Sequence, residues 1–416
     1  MSKIIVPFQF NKTLTIPSSK SHLQRLIALS SICNHTSIIH NVHFCDDVNA
    51  ALSAAQQIGA SIKVNDKTLE IKGNSKFPQN KSVIIDINES GLSARMFGII
   101  TSTLFDEVVL TGKGSILKRD MSSLIDILSQ AGCKVYSLNN YLPIHIKGKA
   151  NYSKIQIKET DTSQIITGLL FAAPLLSKDV NIFVNHPLSI PYIELSINTA
   201  KLFGIQIEHS KDYNYFHIKA PQLLQPTNTI AEGDWSNAAF FIVAAALSGK
   251  ARFLGLNFES SQADKFILKV LDQSNTPFYI ENNNELIVEK SNELKPFKVD
   301  LTHCPDLFPP LVVLAAGIKG TSILSGISRL INKESNRLNV LINEFTRLGL
   351  EISTENDTMI IKGTGKLNGG IIHSHNDHRI VMAAAIAATI SENPVVIENP
   401  EAINKSYPLF FEDLLH

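Results

Sequence analysis

The sequence predicts an α/β protein of two domains, each built from three copies of one helix-and-strand unit, and three observations carry that expectation. The first is a repeat. An apolar helix followed by a strand recurs as "LQRLIALSSICNHTSIIHN", "ARMFGIITSTLFDEVVLTG", "ITGLLFAAPLLSKDVNIFV", "AAFFIVAAALSGKARFLGL", "FPPLVVLAAGIKGTSILSG" and "IVMAAAIAATISENPVVIE". With Ile38, Val108, Asn181, Arg252, Ser322 and Val395 taken as equivalent, the steps are 70, 73, 71, 70 and 73 residues. Such an even spacing is the mark of a structural repeat. The second observation lies between these segments: an amphipathic helix, a short breaker and two strands, as in "ALSAAQQIGASIKVNDKTLEIKG" and "LINEFTRLGLEISTENDTMIIKG". Alternating strands around Asn/Asp turns predict hairpins with one buried face. The third is closure. The sixth copy lacks this second half after "FFEDLLH", and the N-terminal "KIIVPFQFNKTLTIP" is placed to supply its strands. The chain then begins in one domain, crosses to another and returns. Residues 1–17 with 232–416 form domain I, and 18–231 form domain II.

Bulk composition narrows the function. Lys plus Arg is 38 and Asp plus Glu is 38, so no net field draws the whole molecule to nucleic acid or an anionic membrane. Affinity for anions must be local. The longest apolar runs, near Phe240 and Ile380, fall short of the roughly 20 residues that cross a bilayer and read as buried helices. The opening has no long apolar region or transit-peptide character, and the four cysteines have no C-x-x-C spacing. Both features predict a cytoplasmic protein with reduced thiols.

The residues that open the six apolar helices differ from copy to copy: Ser19-Lys20-Ser21, Ser90-Gly91-Leu92-Ser93, Thr162-Ser163-Gln164, Asp234-Trp235-Ser236, Pro305-Asp306 and Asn376-Asp377-His378-Arg379. These are capping residues mixed with reactive ones. A helix start offers free N–H groups and a positive dipole end, which favour an anion. Yet Lys20, Arg25, Arg95 and Arg379 add further positive charge there. That arrangement makes sense against a bound phosphate or carboxylate.

Further clusters support this reading. "GKGSILKRDM" brings Arg119 just ahead of a helix. "NKESNRLNVLI" predicts Lys333 and Arg337 on one helical face at i, i+4, with Glu334 beside them. Lys405 lies in the loop "EAINKSYP". Asp306 heads a segment with no other charge for a dozen residues, so desolvation is expected to raise its pKa and suit it to proton transfer. "HSHNDH", residues 373–378, matches the H-x-H-x-D-H zinc pattern of metallo-β-lactamase-like hydrolases, but the one later histidine is His416. No metal is therefore expected. No G-x-x-x-x-G-K-[ST] or strand-linked G-x-G-x-x-G loop supports a nucleotide cofactor, and no cofactor is expected.

Taken together these motifs resemble one family, the 5-enolpyruvylshikimate-3-phosphate synthases (3-phosphoshikimate 1-carboxyvinyltransferases), over nearly the whole chain. "SSKSHLQR" is similar to the family's S-K-S-x-x-x-R, "SGLSAR" to G-T-x-x-R, "KRD" to K-x-R-P, "TSQIITGLL" to S-S-Q-x-x-S-x-L and "SIPY" to S-x-P-Y. "EGDWSNAAFF" is similar to E-G-D-x-S-S-A-x-x-F, Pro305-Asp306 to D-x-x-x-x-P-D, "KESNR" to K-E-[ST]-D-R and "NDHR" to D-H-R. The resemblance implies an enolpyruvyl-transferase-like fold, with three βαβαββ units per domain in an inside-out α/β barrel and the active site in the cleft between domains. It implies transfer of the enolpyruvyl group of phosphoenolpyruvate to the 5-hydroxyl of shikimate 3-phosphate, through a tetrahedral intermediate, on the route to chorismate and the aromatic amino acids.

By the same resemblance, Lys20, Ser21, Arg25, Thr162, Ser163, Gln164, Ser189, Tyr192, Asp306 and Lys333 would hold shikimate 3-phosphate. Lys20, Gly91, Arg119, Gln164, Arg337, Arg379 and Lys405 would hold phosphoenolpyruvate. Asp306 and Glu334, with Lys20, would move protons. The expected partners are these small anionic substrates alone, with a monomeric chain and no nucleic acid or membrane. The chain departs from the family pattern at Glu89 (usually Asn), Leu92 (Thr), Thr162 (Ser), Ile190 (Lys) and Asn336 (Asp). Two other readings compete. UDP-N-acetylglucosamine enolpyruvyl transferases share the fold but carry a Cys in the loop before the arginine matched by Arg119, and "KGSILK" has none. A non-catalytic anion-binding scaffold is the third reading.

Overall fold

A computed structural model describes residues 2–74, 82–158, 162–282 and 284–416. The chain divides into two compact units, one formed by Met1–Pro17 with Glu232–His416 and the other by Ser18–Ala231.

In the Ser18–Ala231 unit two of the three parallel strand pairs are bridged by an apolar helix. Ser82–Asp86 leads through the Gly91–Leu104 helix to the parallel strand Glu107–Thr111, and the antiparallel strands Ile144–Lys147 and Lys134–Tyr136 complete that sheet. Lys154–Ile157, the Gln164–Ala172 helix and Val180–Val184 repeat the pattern, with Tyr215–Ile218 and Glu208–His209 alongside. The remaining sheet is completed from the far end of the unit. Asn228–Ile230 lies parallel to Ser37–His40, which follows the Lys20–Ile32 helix. Thr68–Lys72 and Ser61–Asn65 finish it.

The other unit uses the same device with the N-terminal segment. Asn11–Thr15 runs parallel to Lys250–Leu254 on either side of the Trp235–Ser248 helix, in a sheet finished by Glu285–Glu289 and Phe278–Glu281. Lys298–Asp300 and Gly320–Ser325 flank the Phe308–Ala316 helix and pair onward to Thr358–Gly363 and Glu351–Glu355. Gly370–His373 and Val395–Glu398 flank the His378–Ala387 helix, and Ser2–Ile5 is their antiparallel third strand. The sequence assigns the whole N-terminal stretch to the sixth copy; only Ser2–Ile5 goes there. Asn11–Thr15 joins the fourth, because the strand just before that copy's helix, Asn228–Ile230, is spent in the other unit. Gly249 lets the backbones meet there: a Cβ on it would lie 2.2 Å from the Phe10 carbonyl oxygen.

These helices are apolar on every side because they are enclosed on every side. Every residue of Trp235–Ser248 is buried, and this helix packs against Phe308–Ala316 and His378–Ala387. In the Ser18–Ala231 unit the Gly91–Leu104 helix packs against both Lys20–Ile32 and Gln164–Ala172. Each helix start is thereby held in a fixed place by a core that tolerates no shift. All four cysteines are buried, and burial raises the thiol pKa of Cys45 to about 12 and of Cys133 to about 11. No described helix is long and apolar enough to cross a membrane.

Candidate active site

Three patches of candidate residues form within the two units. The first surrounds the start of the Lys20–Ile32 helix, where the Ser19 side chain accepts from the His22 N–H. Lys20 Nζ stands 2.8 Å from Asp47 Oδ2, a carboxylate in the first turn of the Asp46–Gln57 helix. The cation that looks misplaced in sequence therefore has an acid from the next helix beside it. Arg25 is buried and its hydrogen bonds reach across the unit, to Ser21 O (2.8 Å), Ser196 Oγ (2.9 Å), Tyr192 O (3.2 Å) and Thr167 Oγ1 (3.3 Å). Burial lowers its pKa to about 10, still high enough to keep it charged. Arg25 thus fixes Ser21 and Tyr192 relative to each other. Ser189 is buried, has φ of 53° and makes no side-chain capping bond to the helix that follows it.

The second patch joins the next two helix starts. Arg95 donates to Gln164 Oε1 (3.1 Å), Asp120 O (3.1 Å) and Gly91 O (3.4 Å). Arg119 lies directly against Gly91, where a Cβ would come within 2.6 Å of its Nη1. Gly91, Arg119 and Gln164 are therefore gathered around one guanidinium, that of Arg95. Thr162 Oγ1 accepts from Gln164 N at 3.2 Å, so Ser163, the formal cap, makes no capping bond of its own. Glu89, the acid beside the glycine turn, accepts from the Ser115 N–H (3.1 Å) and hydroxyl (2.7 Å).

The third patch, in the other unit, is a charge cluster centred on Asp306. Its Oδ1 is 2.8 Å from Arg337 Nη1 and 3.5 Å from Lys333 Nζ, and its Oδ2 is 3.0 Å from Arg379 Nη2. Arg337 is completely buried and also binds Glu334 (2.7 Å) and Asp377 (Nε, 2.9 Å). Burial opposes its charge, but Asp377, Glu334 and Asp306 outweigh that and raise its pKa. The desolvated, raised-pKa Asp306 expected from sequence is corrected here. Burial does push its pKa upward, yet Arg379, Lys333 and Arg337 hold the carboxyl well below its usual range. Burial also lowers the Lys333 pKa against the pull of Asp306.

A second correction concerns Lys333. It does not share a helical face with Arg337, because the helix spans Arg337–Arg347 and is capped by Asn336, whose side chain accepts from the Asn339 N–H. Asn336 does this job where the family has Asp. Lys405 closes the Pro400–Lys405 turn and is buried.

Sequence reasoning missed Asp47 and Asp264, and read Asp377 only as part of a helix start. Asp377 caps the His378–Ala387 helix through the Arg379 N–H and holds Arg337 at the same time. Asp264 is wholly buried, accepts from the Ser236 hydroxyl, and has its pKa raised to about 7 by burial and by Asp306. Its signal was available only as one acid, Asp264, beside Lys265 in the polar stretch "SSQADK". The zinc-like motif dissolves: His373 N–H and His375 Nε2 serve Glu344, while Asp377 serves Arg337. Among the described residues no group of three or more His, Cys, Asp or Glu is arranged to hold a metal ion.

The fold assigns the class first. EPSP synthase from Acinetobacter baumannii superposes with a TM-score of 0.82 at 24% identity, covering 99% of this chain and 97% of that one. The architecture is the fold of that EPSP synthase.

Sequence likeness then narrows the class to one family. The family model "EPSP synthase (3-phosphoshikimate 1-carboxyvinyltransferase)" matches residues 7–414. The 3-phosphoshikimate 1-carboxyvinyltransferase of Clostridium perfringens is 36% identical, over 99% of this chain and 97% of its own. That of Clostridium novyi is 35% identical, over 98% and 95%. The chain belongs to the EPSP synthase family and is a transferase. These matches do not favour the UDP-N-acetylglucosamine reading.

Proposed function

We propose that this chain carries the enolpyruvyl group of phosphoenolpyruvate to the 5-hydroxyl of shikimate 3-phosphate, releasing phosphate, with the three patches as its binding and proton-transfer machinery. In this reading Lys20, Ser21, Thr162, Ser163, Gln164, Ser189 and Tyr192 meet shikimate 3-phosphate, and Arg25 keeps Ser21 and Tyr192 in register. Asp306 and Lys333 take its ring hydroxyls. Gly91, Arg119 and Gln164, with Lys20, Arg337, Arg379 and Lys405, meet phosphoenolpyruvate.

The observation that carries the proposal is the convergence of Arg337, Arg379 and Lys333 on the single carboxylate of Asp306, at 2.8, 3.0 and 3.5 Å. Three cations around one acid form a preorganised anion site, because each is held by the fold before any ligand arrives. Asp306 is held ionised and so has the lone pair to receive the hydroxyl proton as that oxygen attacks; the cations that lower its pKa also weaken it as a base, and their engagement by the bound anions is what raises its basicity. Glu334, 2.7 Å from Arg337, is the companion acid for protonating the methylene carbon; in elimination the methyl group gives that proton back to Glu334, and the proton taken by Asp306 leaves with the phosphate. The cations then stabilise the charged intermediate and the departing phosphate. The balanced charge of 38 against 38 leaves no net field toward nucleic acid, as suits a chain acting on small anions.

Release of inorganic phosphate from the two substrates together, and from neither alone, tests the proposal. Calorimetry adds the order: shikimate 3-phosphate binds, and phosphoenolpyruvate binds more tightly in its presence. Binding of both without phosphate release would turn the reading toward an anion-binding scaffold.

A further inference from the structure

"HSHNDH" is the motif the transfer reaction leaves unexplained, and its first two histidines lie outside the charge cluster. His373 ends the strand Gly370–His373, and the loop after it climbs to Asp377 and Arg379 through two consecutive left-handed residues, His375 (φ 52°) and Asn376 (φ 56°). Asn and His are among the non-glycine residues that enter that conformation most readily. Glu344 holds the loop by hydrogen bonds. It is buried on the Arg337–Arg347 helix and its Oε1 lies 2.9 Å from His375 Nε2, while its Oε2 accepts from the His373 N–H at 3.0 Å. Arg347 Nη1 reaches the same carboxylate at 3.1 Å.

The His373 ring extends the linkage. Its Nδ1 accepts from the His375 N–H at 2.9 Å, and its Nε2 lies 3.0 Å from the Asn399 side-chain nitrogen. Asn399, itself left-handed at φ 53°, is the residue from which the Pro400–Lys405 turn starts. Three segments therefore meet at this pair of imidazoles. One helix begins with Arg337, one loop delivers Arg379, and one turn ends at Lys405.

We propose that His373 and His375 are positioning residues that lock these three segments into one block, so that Arg337, Arg379 and Lys405 keep the spacing a phosphoenolpyruvate molecule needs. The inference rests on the reading that those three cations bind phosphoenolpyruvate. It predicts a selective defect, since most of the residues assigned to shikimate 3-phosphate, from Lys20 to Tyr192, belong to the other unit.

The test compares His375→Phe, which keeps a ring and loses the donor, with His375→Gln, which restores an N–H toward Glu344. His375→Phe raises KM for phosphoenolpyruvate by about tenfold, the loss expected for one hydrogen bond to a charged group. KM for shikimate 3-phosphate stays within about twofold in this comparison of one lost bond. His375→Gln recovers most of the loss, and thermal unfolding shows all three proteins folded at the assay temperature. Unchanged constants in His375→Phe, equal defects for both substrates, or a Gln variant no better than Phe overturns the inference. Arg379→Gln separates the two claims: if it leaves KM for phosphoenolpyruvate unchanged, the underlying assignment of cations has failed instead.

Discussion

Asp306 and Asp264 belong to one unit and influence each other electrostatically, yet their protons are held in opposite ways. Asp306 has three cations within 3.5 Å and stays ionised. Asp264 has the Ser236 hydroxyl on one oxygen, while the other has no hydrogen-bond partner among the described residues, and its pKa is raised to about 7. Asp306→Asn therefore removes the acceptor of the proposed proton transfer. Its kcat in the phosphate-release assay should fall by about two to four orders of magnitude, with shikimate 3-phosphate still bound in calorimetry. Near-normal turnover would take Asp306 out of the chemistry. Asp264 makes a different prediction, in stability. Native Asp264 keeps a proton that the unfolded chain gives up near the ordinary carboxylate pKa of 3.8, so its contribution declines as pH rises from there through about 7. Asp264→Asn cannot follow that decline. Urea unfolding at pH 5 and pH 8 should show the variant gaining on the wild type as pH rises, and a constant difference would place the Asp264 titration elsewhere.

Two helix caps show how little an isolated cap weighs against a cap that also holds a charge. Asn336 is exposed and accepts only from Asn339 N–H among its described bonds, so Asn336→Ala should cost about 1 kcal/mol. Asp377 caps its helix and also binds the buried Arg337 through two nitrogens at 2.9 and 3.1 Å. Removing one partner of a buried pair costs about 3–5 kcal/mol, and Asp377→Ala should fall in that range by urea unfolding. Equal losses in the two variants would mean Arg337 finds other partners without strain. The same pair marks the boundary of what was legible in the sequence. Six apolar helices could be read because helix periodicity and capping are local, and Ser19 and Ser90 cap the helices they precede. The helix carrying Lys333 was read too early because charge spacing suggested i, i+4 contact, while the Asn336 cap decides the start. The bond from Asp377 to Arg337 spans 40 residues and is set by packing, which no local pattern records. Asp306 was found, but its titration was misread for the same reason: its three cations come from Lys333, Arg337 and Arg379.

At the scale of the whole chain, the unit that holds Asp306 is closed by the first residues of the sequence. Ser2–Ile5 pairs with Val395–Glu398, and Asn11–Thr15 with Lys250–Leu254, so the segment before Ser18 edges two of that unit's three sheets. It also fills the core: Ile5, Phe10, Leu14 and Ile16 are buried, Phe10 stacks on Phe241 at 5.8 Å, and its N–H donates to Ser248 Oγ at 3.1 Å. Losing a buried Phe alone costs about 3–5 kcal/mol, against a total stability of about 5–15 kcal/mol for an ordinary domain. Deleting residues 2–17 should therefore unfold the 232–416 region. The Ser18–Ala231 unit loses nothing of its own, because Asn228–Ile230 closes its first sheet from within. The expected outcome is a chain that keeps every proposed site residue and yet releases no phosphate. Limited proteolysis with mass spectrometry should recover a resistant fragment of about residues 18–231 and only small peptides from the remainder. A truncated chain whose 232–416 region resists the protease would show that the N-terminal strands are dispensable there, and that the repeat closes by some other means.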